Sequence, residues 1–143
     1  MMPSIIYETL AADSTLAAML ATFNGGPAII ELQSVDERPV ADGYFIIIDM
    51  QETYTVLGQH LGPRTMQLWV HNPLDDSRDY GQITKILNQI DSLLLPIINL
   101  TGEDGIPCSQ VFRHGRSRNT YDPAWKTTTR NALYTVAYDE SVA

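Results

Sequence analysis

The sequence predicts an α+β fold: a mixed, mostly antiparallel sheet packed by an N-terminal helix and one long central amphipathic helix. Three stretches carry that expectation. From Tyr80 to Leu94, the residues Tyr80, Ile83, Leu87, Ile90 and Leu94 recur at three-four spacing, widened by Ile86 and Leu93, as on one face of a helix. In "YFIIIDM", Tyr44, Ile46, Ile48 and Met50 fall on one side of a strand and Phe45 and Ile47 on the other, so the strand is covered on both faces. In "TTTRNALYTVAYDE", Arg130, Ala132, Tyr134, Val136 and Tyr138 share one face, opposite Thr129, Asn131, Leu133, Thr135 and Ala137.

The remaining elements follow in order. Pro3 and Ser4 open a helix with Ile6 and Leu10 at helical spacing; Asp13 and Ser14 break it or cap a second turn that continues through Leu16, Met19 and Leu20. "NGGP" at 24–27 ends this unit, and "AIIEL" reads as a strand. Asp42-Gly43 makes a turn before residues 44–50. Residues 53–64 read as a long connection with Gly58, Gly62 and Pro63, of the kind that often contacts partners. "TMQLWVH" is a strand with Met66, Leu68 and Val70 on one face and Trp69 on the other. "NPLDDS" starts the long helix, with Asp76 or Ser77 as its cap and Asp79 at the positive end of its dipole; Pro96 helps end it. "TGEDG" is a loop, "CSQVFRHGRS" a strand, and "NTYDPAW" a turn into the last strand, which pairs back as a hairpin. One domain spanning 1–143 is expected.

With 143 residues, 44% of them hydrophobic and 18% charged, the chain has the composition of an ordinary globular protein. Its net charge of -8 argues against general coating of nucleic acid. The charge is uneven: residues 1–104 hold fourteen acids and four bases, residues 105–143 three acids and five bases. Such asymmetry suits a protein that meets copies of itself or a charged partner, unless folding interleaves the two segments. Cys108 is the one cysteine, so no internal disulfide or cysteine metal cluster is expected. With no basic n-region and no apolar run of ~20 residues, a reducing cytoplasm and no membrane are expected.

Chemistry-bearing residues are sparse. His71 with Asp75, Asp76 and Asp79 is the best enzymatic candidate, yet the spacing matches no ligand motif and helix capping already accounts for Asp76 and Asp79. His60, His114 and Cys108 make no metal-ligand spacing, and neither "GQHLG" nor "TGEDG" spells a phosphate loop. The expectation is no catalytic, metal or cofactor site. What stands out is "FRHGRSRNTYDPAWK", where Arg113, His114, Arg116, Arg118 and Lys126 gather with only Asp122 to oppose them. Three readings fit: phosphate contacts with Tyr121 or Trp125 stacking on bases, a subunit interface using forked arginine–carboxylate bonds, or a solvated hairpin tip that guards an edge.

Two longer segments resemble a known family. "LWVHNPLDDSRDYGQITKILNQIDSLL" is similar to the strand–turn–helix of tail-terminator proteins from long-tailed bacteriophages, especially those of actinobacteria. "HGRSRNTYDPAWKTTTRNALYTV" resembles their carboxy-terminal hairpin, and "IIYETLAADSTLAAML" their first helix. The resemblance implies a virion structural protein, not an enzyme. It would be assembled in the host cytoplasm as a ring, expected to be hexameric, on the head-proximal end of the tail tube. Its partners would be the tube protein, head-completion proteins, and DNA passing through the lumen without sequence-specific binding. On this reading Arg113, His114, Arg116 and Arg118 sit at the subunit contact, facing Asp36, Glu37, Asp75 or Asp76 of a neighbour. Tyr54, Leu57, His60 and Leu61 of the long connection are the candidates for ordering against the tube or an adjacent subunit. A different neck, head-completion or tube protein, or a non-viral protein-binding adaptor, are the alternatives; an enzyme is the least favoured.

Overall fold

The structure, a computed structural model, describes residues 2–31, 42–51, 61–73 and 80–139. Two short helices open it, α1 (Ser4–Ala11) and α2 (Ser14–Met19). Asp13 separates them as expected: its carboxylate accepts from Leu16 N at 2.8 Å, capping α2, and from Gln89 Nε2 at 2.9 Å. A small ladder follows between β1 (Thr22–Phe23) and β2 (Gly26–Pro27). Asn24 (φ 50°) and Gly25 (φ 80°) both take the left-handed conformation its two-residue turn requires. "NGGP" is therefore a hairpin turn as well as the end of the helical unit.

The main sheet is built from β3 (Ile29–Glu31), β4 (Phe45–Gln51), β5 (Leu61–Asn72), β6 (Ile98–Thr101), β7 (Pro107–Arg116), β8 (Thr120–Asp122) and β9 (Thr127–Asp139). Its order is β3-β4-β5-β9-β7-β6, with β8 also paired to β9. Only β3 and β4 run parallel; the other pairs are antiparallel, giving the mixed, mostly antiparallel sheet expected. The central helix α3 (Tyr80–Leu94) lies with α1 and α2 on one face. The register aligns Ile48, Leu68 and Ala132, and likewise Met50, Met66 and Tyr134, across three strands. These residues meet Ile83, Ile86, Leu87, Ile90 and Leu94 of α3 in one continuous core. Phe45 and Ile47 point the other way, into a smaller cluster with Ala28 and Ile30, against which Trp69 and Trp125 pack. Both faces of β4 are thus covered, as its sequence requires.

Three details differ from the sequence reading, the first being that Thr120–Asp122, inside the stretch read as a turn, form β8. β5 begins at Leu61, so residues 61–64 belong to a strand and not to the connection. Pro63 is tolerated there because the β4 ladder ends at Thr65, leaving Pro63 opposite Ala137 of β9 alone. Beyond Pro96 the chain forms β6, an edge strand of four exposed residues whose formation depends on pairing with β7 rather than on its own pattern.

The "TGEDG" loop has a structural task that sequence spacing hides. α1 has no capping side chain of its own. Instead Asp104, one hundred residues away, accepts from Ser4 N at 2.7 Å, while Asp104 N donates to Ser4 Oγ at 3.1 Å and Glu103 N to Glu8 Oε2 at 3.0 Å. Partial burial pushes the Asp104 carboxyl up, but hydrogen bonds from Ile106 N, Ser4 N and Ser4 Oγ outweigh it and hold it below its ordinary 3.8. A depressed carboxylate contributes stability that is present above its unfolded pKa and lost as pH falls through the folded one. Below about pH 4 the wild type is therefore expected to lose stability more steeply than Asp104→Asn, as urea midpoints from pH 6 to pH 2.5 would show. Parallel curves for the two proteins would rule out this cap.

Candidate functional site

The basic run occupies the end of β7 and the connection to β8. A register shift between Arg113 and Gly115 places an extra residue, His114, in the strand. Arg113 then lies opposite Tyr134 and Arg116 opposite Ala132, both of which are buried beneath α3. Between them stands Asp91 of α3, only 8% exposed. Its Oδ2 accepts from Arg113 Nη1 and Arg116 Nη2, each at 2.6 Å, and its Oδ1 accepts from the Tyr134 hydroxyl at 2.5 Å. Two guanidiniums on one carboxylate leave the cluster with a net positive charge. Burial, then the bond to Asp91 and its charge, push the Tyr134 hydroxyl far above its ordinary value, so it remains a donor.

The tip is tied down by a second set of bonds. Arg130 Nε donates to Ser117 O at 3.1 Å and its Nη1 to Thr84 Oγ1 at 3.0 Å. Ser117 N donates to Asn131 O, Ser117 Oγ accepts from Asn131 N, and the Tyr80 hydroxyl donates to Thr120 O at 2.8 Å. The basic stretch is therefore fastened to both β9 and α3.

These contacts redistribute the expected interface residues. Arg113 and Arg116 already have an acidic partner inside the chain, in Asp91. His114 is exposed and its Nε2 meets Thr135 Oγ1. Arg118 is exposed and has no side-chain partner among the described residues. Leu61 is the first residue of β5, opposite Asp139, and so lies in a strand and not in the connection. Asp36, Glu37, Asp75 and Asp76 lie outside the described residues, as do Tyr54, Leu57 and His60.

Of the residues weighed for catalysis, His71 and Cys108 are held in packing. His71 is 4% exposed, stacked on Phe45 at 4.9 Å with a 10° interplanar angle, and its Nδ1 lies 2.7 Å from Thr127 Oγ1. Asp79, like Asp75 and Asp76, is outside the described residues. Cys108 is fully buried and burial pushes its thiol up to about 11, which removes the thiolate a nucleophile needs at neutral pH. Among the described residues no group of three or more His, Cys, Asp and Glu side chains could hold a metal ion, and no helix is long and apolar enough to cross a membrane.

On the face of the sheet away from the helices a cleft of about 360 Å³ opens between β5 and the β8–β9 turn. Trp69, His71, Tyr121, Asp122 and Trp125 are among the residues that line it. Asp91 and this cleft both escaped the sequence reading. A carboxylate in the middle of an apolar helical stripe, between Leu87 and Leu94, was the available signal for Asp91. Nothing local marks the cleft, because Trp69 in β5 and Trp125 in the β8–β9 turn are 56 residues apart.

No protein-family model matches the chain, and no curated protein matches it by sequence. Solved structures share its fold, among them these two. One is a chain from the virion of a native gene transfer agent particle, with a TM-score of 0.63 and 11% identity over 94% of this chain and 91% of that one. The other aligns over 97% of both chains with a TM-score of 0.55 and 11% identity. At such identity the likeness is one of fold.

Proposed function

We propose that the chain is a structural protein of a phage-type virion, acting as a tail terminator: a ring, expected to be hexameric, that caps the head-proximal end of the tail tube. The observation that carries this reading is the shared fold with a virion chain over nearly the full length of both. It is supported by the resemblance of the β5–α3 and β7–β9 segments to that family. Those two segments are also joined in space, since Asp91 of α3 holds Arg113 and Arg116 of β7. A ring needs two unlike surfaces that fit each other. With Arg113 and Arg116 bonded within the chain, the exposed Arg118 and Lys126 are the cations of the basic run left to meet an acidic neighbour.

Absolute molar mass by light scattering, at low and high salt, tests the proposal together with binding to purified tail tubes. A closed six-subunit species, or a monomer that binds tube ends and stops their growth, is the expected result. Arg118→Glu should weaken that assembly and reduce its salt dependence, whereas reversing Arg116 would disturb the fold itself. A monomer that ignores tube ends overturns the terminator reading. A chain that binds head-completion proteins and not tubes would instead fit a neck component.

A further inference from the structure

We infer that the cleft on the face of the sheet away from α1, α2 and α3 binds the guanidinium of an arginine side chain, presented by a partner protein. Its walls combine the two features such a group needs. Trp69 and Trp125 both line it, Trp125 with its ring also tilted against His71 at 5.2 Å, and an indole is a flat, electron-rich surface on which a planar cation stacks. Asp122 supplies the counter-charge, and its position is fixed: Oδ1 accepts from Ala124 N at 2.9 Å and from Trp125 N at 3.1 Å. The same two bonds set the turn that carries Trp125, so the carboxylate and one aromatic wall are placed together. Oδ2 takes no hydrogen bond among the described residues and is left to accept from a ligand.

The chemistry discriminates between occupants. An anion would meet Asp122 and a chain of net charge -8. A purely apolar group would strip water from the Asp122 carboxylate and give it no partner. An ammonium would satisfy the charge but not the flat walls, whereas a guanidinium stacks on indole and offers its N–H groups edge-on to the carboxylate. The cleft is open to one side and of side-chain dimensions, which suits a residue carried on another chain. Only this last expectation, that the partner is a protein of the same assembly, rests on the function proposed above.

The test uses the full chain and its own fluorescence, since both of its tryptophans line the cleft. N-acetyl-L-arginine amide is titrated against it, with N-acetyl-L-citrulline amide as the uncharged isostere and free L-arginine as a second arm. A saturable change in emission with the arginine amide, at least tenfold weaker with the citrulline amide, is expected. Asp122→Asn keeps the Oδ1 acceptor that holds the turn while removing the charge, and should weaken binding at least fivefold with unchanged circular dichroism. Equal responses to arginine and citrulline amides, a response that never saturates, or an unaltered Asp122→Asn titration overturns the site. Much tighter binding of free arginine than of the blocked amide overturns the protein source. None of these readings depends on ring formation, so failure here and failure of the terminator proposal are separable.

Discussion

Replacing Asp91 with alanine is expected to lower the unfolding free energy by about 3–5 kcal/mol, the range seen when one partner of a buried ion pair is removed. The loss comes less from the bonds themselves than from what is left behind. Arg116, with its side chain 15% exposed, and the buried Tyr134 hydroxyl would each keep a polar group in the interior with its main partner gone. Arg116 Nε already has no hydrogen-bond partner, so the site has little reserve. For a chain of this size the melting temperature should fall by about 10–15 °C. Arg113→Ala should cost under about 1 kcal/mol, because its side chain is 43% exposed and water can replace the contact. Thermal and urea unfolding of the two variants measure the contrast. A loss below about 1 kcal/mol for Asp91→Ala would mean that the cluster does not hold α3 to β7 in solution.

The second large effect is expected at Gly102, where the loop before β7 meets α1. A Cβ built there would stand 2.1 Å from Glu8 Oε2, 2.4 Å from Ser4 Oγ and 2.6 Å from Ile5 N. The two side-chain oxygens could swing away, but Ile5 N belongs to the helix backbone and cannot. Gly102→Val should therefore drive the loop off α1, break the bonds of Ser4 and Glu8 to residues 103–104, and cost about 3 kcal/mol. Gly105→Ala provides the control. Gly105 has φ +76° with nothing within 4 Å of a built Cβ, so only backbone strain of about 1–2 kcal/mol is expected. Equal losses in the two variants, measured by chemical denaturation, would overturn the role assigned to crowding at Gly102.

Both effects arise where residues far apart in sequence meet, and that explains how much could be read in advance. The α3 stripe, the two-faced β4 and the alternating β9 were legible because each pattern follows from the period of its own element. The Asp13 break was legible because a helix cap is a contact over three residues. The start of β5 was not, since Gly62 and Pro63 argue locally for a loop and are overruled by a single long partner, β9. β6 was not, since an exposed edge strand owes its existence to its neighbour's hydrogen bonds. The basic run shows the same division more sharply. Its composition was evident, but whether an arginine faces solvent, a neighbour or the interior depended on one register shift at His114.

Sequence by itself determined the types of the long patterned elements, their apolar faces and the α+β class, because the chain's own periodicities and caps decide which backbone conformations can bury apolar surface. It also marked the gathering of cations at residues 113–126. Tertiary structure alone decided that Arg113 and Arg116 converge on Asp91, that Asp104 caps a helix one hundred residues away, and that Trp69, Trp125 and Asp122 share a cleft. Such juxtapositions follow from strand order and register, which are properties of the assembled sheet; no local stretch of the chain encodes them.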